Sequence, residues 1–206
     1  MCRLLVYKGK HPIQLAQLLT RPAHSIINQS FDSRLRLDTG QINGDGFGVD
    51  KNEKSTPCIF TSVTPAWNNQ NLTRLAEKIK SSLVFAHVRA STAGVLSETN
   101  CHPWQYERLM WMHNGDISNF NKLDDPKNGH FDHTTLKDAM LKTIGLLNTW
   151  AIEEGIDEPS LLNFAVTDGQ SVICTRYISS KTEEAASLYF SSGTSFVEYK
   201  PGHYKM

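Results

Sequence analysis

The sequence predicts an α+β fold built on antiparallel sheets. Short runs rich in Val, Ile, Leu and Phe recur at strand length, and an Asp-Gly pair stands between two of them. Strand-like and helix-like stretches come in groups, whereas a doubly wound parallel sheet would alternate them strictly.

The expected strands are Cys2–Tyr7, Phe47–Asp50, Cys58–Ser62, Leu83–Val88, Leu109–His113, Leu162–Thr167, Ser171–Tyr177 and Leu188–Ser191. Thr167-Asp168-Gly169-Gln170 joins two of them, and Asp-Gly between apolar runs is a strong hairpin signal. Helical spacing appears three times. Pro12–Thr20 has Pro at a first-turn position. Leu72, Leu75, Ala76 and Ile79 follow the i, i+3, i+4, i+7 pattern. In Thr134–Glu154, Leu136, Met140, Ile144, Leu147 and Ala151 line one face.

A single domain spanning 1–206 is expected, since a chain of 206 residues can bury roughly 70% of its unfolded surface. Lys+Arg and Asp+Glu each total 21, so the net charge is zero, and no basic footprint points to nucleic acid or an anionic membrane. No apolar run approaches the ~18 residues of a membrane span, and the N-terminus lacks a secretory layout. Cys2, Cys58, Cys101 and Cys174 are scattered without a CxxC pair, which fits reduced thiols and a cytoplasmic location. The histidines His87, His102, His113, His130 and His133 show no metal-ligand spacing, so neither metal nor cofactor is expected.

Cys2 is the first residue of interest. Loss of Met1 would leave its thiol and a free α-amine on one residue, and an amine with a pKa near 7.7–8.0 can serve as the thiol's base. The alternative is a buried strand residue. In FAHVRAST (Phe85–Thr92), Arg89 ends an apolar strand, where a guanidinium either clamps a carboxylate or makes a surface ion pair. In MWMHNGDISNF (Met110–Phe120), Asn114-Gly115 is either an ordinary turn or an oxyanion hole of side-chain amide and backbone N–H. GDGFGVD (Gly44–Asp50) lacks the Lys-Ser/Thr of a phosphate loop, so its glycines are expected to admit a substrate or a neighbouring segment of chain.

In order, MCRLL, GDGFGV, FAHVRAST, NCHP (Asn100–Pro103) and MHNGDI (Met112–Ile117) resemble the class II glutamine amidotransferases, the N-terminal-nucleophile hydrolases with a catalytic cysteine. TPCIFTSVTPAWNN (Thr56–Asn69), ETNCHPW (Glu98–Trp104), LKTIGLLNTW and LNFAVTDGQSVICTRY are similar to the fungal subunit that degrades glutathione. The resemblance implies an αββα sandwich of two antiparallel sheets and no cofactor. It implies Cys2 as nucleophile after loss of Met1, with Asn114 and Gly115 as the oxyanion hole. Arg89, Thr92, His102 and Asp132 are the implied substrate-binding residues. The implied reaction cleaves a γ-glutamyl amide, of glutathione or a related compound, through a γ-glutamyl thioester, beside a peptidase-like partner subunit.

Two departures from that pattern stand out. Ser118–His133 (SNFNKLDDPKNGHFDH) occupies the place of a Thr-Asp-Ser-Glu-type stretch whose Asp holds the substrate amine, and Asp132 is the stand-in. The chain stops at Met206 where relatives continue into further strands, so an internal segment and the C-terminal strands are expected to be missing. Two other functions stay open: a non-catalytic relative acting as a partner-binding subunit, and a glutamine-hydrolysing subunit supplying ammonia to a synthetase. A papain-like protease fits poorly, because no helix follows Cys2 to cap its thiolate.

Overall fold

A computed structural model describes residues 2–32, 42–53, 56–91, 95–117 and 133–206. Two four-stranded sheets form the body. The first holds β1 (Arg3–Gln14), β2 (Phe47–Glu53), β3 (Thr56–Ser62) and β4 (Lys80–Val88) in the order β1-β4-β2-β3. The second holds β5 (Trp104–Tyr106), β6 (Leu109–Asn114), β7 (Asn163–Thr167) and β8 (Val172–Cys174) in sequence order. Every pairing within them is antiparallel.

Alternation along β4 explains the stacking, since successive side chains point to opposite faces of a sheet. Leu83 and Phe85 face the second sheet, where they meet Met110, Met112 and Ala165 with Leu4, Val6 and Val172 at the margin. Val84, Ala86 and Val88 face outward into a second cluster with Phe47 and Val49. Both faces of β4 are therefore buried, which is why it reads as a continuous apolar run.

Helices cover the two outer faces unequally. Over the first sheet lie α1 (Ala16–Leu19), α2 (Ile26–Phe31), a 3-10 turn at Ala66–Asn68 and α3 (Gln70–Ala76). Ser25 and Asn69 start α2 and α3 by accepting from the backbone N–H three residues ahead, satisfying donors that a helix end leaves open. Over the second sheet lies α4 (His133–Glu153), with Leu136, Met140 and Ile144 buried; Leu136 and Met140 cluster with Leu109, Trp111, Phe164, Val166 and Ile173. The arrangement is an αββα sandwich.

The Asp-Gly hairpin joins β7 to β8, with Asp168 Oδ1 accepting from the N–H of Gln170 and of Ser171. Three expectations need correction. Pro12–Gln14 belongs to β1, leaving only Ala16–Leu19 helical. β1 is an edge strand whose register shifts between Lys8 and Ile13, a place where the missing N–H of Pro12 costs no ladder bond. Leu188–Ser191 forms no strand: Tyr189 and Phe190 are exposed, and the segment belongs to no sheet among the described residues. The expected strand at Ser171–Tyr177 shortens to Val172–Cys174. Beyond it, β9 (Val197–Lys200) and β10 (His203–Lys205) form a hairpin whose Gly202 carbonyl accepts from Ala23 N–H at 2.7 Å.

Candidate active site

Register places the first group of residues. Arg3 pairs with Val88, so Cys2 and Arg89 lie side by side where β1 begins and β4 ends. The chain after β4 is held by the Gly44–Gly46 segment: Arg89 N–H donates to Gly46 O at 2.9 Å, and Asp45 N–H donates to Arg89 O at 3.2 Å. Ser91 N–H donates to Asp45 Oδ2 at 2.8 Å. This loop presents Ala90 to Cys2, whose Sγ is 3.4 Å from Ala90 N and 3.6 Å from Ala90 O.

The half-buried Cys2 thiol is pushed above its ordinary pKa, chiefly by burial; the Ala90 N–H and the Arg89 guanidinium pull the other way, and Asp45 pushes further up. Near neutral pH it therefore rests as a thiol and needs a base before it can attack. Arg89 is buried, at 8% exposure, with Nη2 donating to Ser91 Oγ at 3.0 Å, so it is not a surface ion-pair residue.

The glycines of GDGFGVD admit neighbouring chain. A Cβ on Gly48 would lie 1.9 Å from His102 O, and one on Gly46 (φ 111°) would lie 2.6 Å from Cys101 Sγ. The Asn100–Pro103 segment thus packs directly on β2. His102 is buried, its ring between those of His87 and Trp104 at centroid distances of 4.1 and 3.8 Å. His102 Nδ1 lies 3.0 Å from His87 Nε2, which is also 3.1 Å from His113 O. One His87 Nε2–H serves both acceptors if both rings are neutral. Burial holds them so, with the His87 pKa well below its ordinary value and that of His102 lowered to about 3. The Nδ1 of His102 is thus committed to the protein.

The contact from His87 to His113 O joins the ends of β4 and β6, bringing Asn114 and Gly115 to the same end of the sandwich as Cys2 and Arg89. Gly115 has φ 152°, and a Cβ there would lie 2.0 Å from Leu161 O. Leu161 N–H donates to Asp116 O at 3.0 Å, His113 Nε2 donates to Leu161 O at 2.7 Å, and Asn163 Nδ2 donates to Asn114 O at 3.1 Å. Asn114 is buried, and its Oδ1 has no hydrogen-bond partner among the described residues. Buried polar atoms are almost always paired, so this acceptor is open to a donor, and the opposite end of the same amide, Nδ2, is the one that could donate to an oxyanion.

Of the residues singled out from sequence, the structure gathers Cys2, Arg89, Asn114 and Gly115 at one end, with His102 packed behind them. Thr92, Asp132 and His130 lie outside the described residues. Sequence reasoning missed Asp45, His87, Leu161 and Asn163. An acid between two glycines was a usable signal for Asp45, and a polar residue within the apolar LLNFAV run was one for Asn163.

A strand end carrying Cys2 beside a buried arginine, at the same end of the sandwich as an Asn-Gly turn, suits acyl transfer. The family model for class II glutamine amidotransferases matches residues 15–175, and the chain belongs to that family. The probable glutamine amidotransferase DUG3 of Saccharomyces cerevisiae is 54% identical, the match covering 100% of this chain, Cys2 included, and 72% of the yeast protein. That match spans 256 positions against 206 residues here, so about fifty positions within it have no counterpart in this chain. The γ-glutamyl-hercynylcysteine sulfoxide hydrolase of Mycobacterium tuberculosis is 25% identical over 182 residues, covering 86% of this chain and 77% of that enzyme. A glutamine aminotransferase class-II domain protein from Silicibacter pomeroyi shares the fold, with a TM-score of 0.54 at 24% identity over 88% of this chain and 79% of that one.

Proposed function

We propose that this chain is a γ-glutamyl amide hydrolase, acting on glutathione or a related γ-glutamyl compound with Cys2 as nucleophile. The carrying observation is Cys2 Sγ seated on Ala90 beside buried Arg89, at the sandwich end that also holds Asn114-Gly115. The raised thiol pKa calls for a base, and removal of Met1 would supply one as the α-amine of Cys2 itself. The names of two relatives, a glutamine amidotransferase and a γ-glutamyl hydrolase, support the reaction class.

In this reading the amine takes the thiol proton, directly or through one water, and the thiolate adds to the γ-carbonyl carbon. The oxyanion accepts from Gly115 N–H and Asn114 Nδ2, while Arg89 takes the substrate α-carboxylate in charge-assisted hydrogen bonds. The α-ammonium returns its proton to the departing amine as the C–N bond breaks, leaving a γ-glutamyl thioester. Water, deprotonated by the same amine, then splits the thioester to release glutamate and restore the thiol. From glutathione the departing amine is cysteinylglycine, which a peptidase-like partner subunit would consume. Thr92 and Asp132 complete the substrate contacts, His102 supports the site from behind through its packing on His87 and Trp104, and the setting is a reducing cytoplasm that keeps the cysteines as thiols.

Intact-mass spectrometry before and after exposure to an electrophilic glutamine analogue tests this. Loss of Met1 plus a single adduct, absent in Cys2→Ala, is the expected result. The roughly fifty missing positions favour a second reading, a partner-binding subunit without catalysis. A chain that keeps Met1, or loses it and stays unmodified, would support that reading instead. Glutamine preferred over glutathione as substrate would turn the assignment to an ammonia-supplying subunit.

A further inference from the structure

We infer that Asn163 is a positioning residue for the oxyanion hole: its side-chain amide aims the Gly115 N–H by holding the carbonyl of the same peptide group. The inference rests on the hydrolase reading above. A peptide group is planar and trans, with its C=O and N–H pointing in opposite directions. Whatever fixes the Asn114 carbonyl therefore fixes the direction of the Gly115 N–H on the other side of that plane.

Asn163 Nδ2 donates to Asn114 O at 3.1 Å, and Asn163 is 3% exposed. Which end of the amide faces Asn114 is set by Tyr177, whose backbone N–H donates to Asn163 Oδ1 at 3.2 Å. An N–H needs an acceptor, so the oxygen faces Tyr177 and the NH2 group is left for the carbonyl. Asn163 is also the residue that pairs with Asn114 in the β6–β7 ladder, so both main chain and side chain hold that point. Its neighbour Leu161 fixes the flanks, donating to Asp116 O and accepting from His113 Nε2. Without a Cβ, Gly115 lets Leu161 O approach closely enough for this. A hydrogen bond accepted at the carbonyl also polarises the peptide, making its N–H a better donor.

An N–H aimed this way serves the tetrahedral oxyanion more than the planar ground-state carbonyl, so its loss falls on kcat rather than KM. In Asn163→Asp the acceptor for Tyr177 N–H survives, but an oxygen faces the Asn114 carbonyl. The experiment measures kcat and KM for a γ-glutamyl substrate, inhibition by the γ-aldehyde analogue of glutamate, and inhibition by glutamate itself. The aldehyde forms a tetrahedral adduct on the cysteine, whereas glutamate does not. Expected for Asn163→Asp is a kcat lower by about 10- to 100-fold with KM within about threefold. Aldehyde affinity should weaken in step while glutamate affinity holds. Should that variant fail to fold, Asn163→Ser, too short to reach Asn114 O, reads the same quantities. Unchanged kcat in a folded variant, or kcat, KM and glutamate affinity all worsening together, overturns the inference and leaves the hydrolase reading standing. A wild-type chain that turns over no γ-glutamyl substrate overturns both.

Discussion

The two sheets contribute differently to the same end of the molecule. The first is packed on its outer face by three short helices and a 3-10 turn, burying Leu15, Leu18, Leu19, Ile26, Ile27, Ala66, Leu72 and Ala76. Among the described residues the second has α4, with Leu136, Met140 and Ile144 buried on it. Cys2 and the buried Arg89 belong to the thickly covered half, Asn114 and Gly115 to the thinly covered one. A buried guanidinium and a thiol of raised pKa need surroundings that exclude water and hold still, which a deep core supplies. An Asn-Gly turn needs only its peptide planes fixed, which three hydrogen bonds between residues 113–116 and the pair Leu161 and Asn163 accomplish locally. The geometry of the site is set by strand ends and loop hydrogen bonds, and the helix layers determine how much disturbance each half survives.

The largest expected effect tests whether the first half holds the nucleophile. Cys2→Ala should reduce turnover to background while leaving the thermal midpoint essentially unchanged, since the change removes one sulfur atom whose hydrogen bonds among the described residues are to Ala90. Activity surviving in that variant would remove the thiol from the chemistry.

Next comes the contrast in depth. Leu72→Ala, at 2% exposure in the first core, should cost ~3–5 kcal/mol in urea unfolding, and Met140→Ala, at 9% exposure under α4, closer to ~2 kcal/mol. Equal losses would show that the single helix seals its sheet as firmly as the other layer does. Arg89→Lys keeps the charge but loses the planar fork, so KM should rise by about tenfold or more, equivalent to ~1.5–3 kcal/mol, with kcat less affected. A kcat defect at constant KM would place Arg89 in the chemistry instead of in carboxylate binding.

The smallest effect concerns the histidines that join the halves. His87, His102 and His113 have lowered pKa values, chiefly through burial. Below the ordinary value of ~6.5 the unfolded chain takes up protons that the folded one refuses, so stability is full above that pH and falls as pH drops. For His102 the loss continues down to about pH 3. Between pH 7 and 6 the three together should remove about 1–2 kcal/mol, read from urea midpoints. A flat profile between pH 7.5 and 5.5 would show that the junction tolerates charge.

Much of the fold is legible in short stretches of the chain. Apolar runs of strand length, the Asp-Gly hairpin and the long amphipathic helix are short-range signals, and β4, the β7–β8 turn and α4 appear where those signals put them. The ordered motifs carried the family, and the position of Cys2 raised the question of a nucleophile. By itself the sequence determined which residues could do chemistry and which segments pair or coil, because those properties are written within a few residues of each other. Only the tertiary structure decided that Pro12 sits in an edge strand, that Arg89 is buried, and that Cys2 Sγ rests on Ala90. It alone brought Asn163 to the Asn114 carbonyl, 49 positions away along the chain. The physical reason is register: which strand ends meet, and which amide lands on which carbonyl, depends on pairing and stacking between segments far apart in sequence.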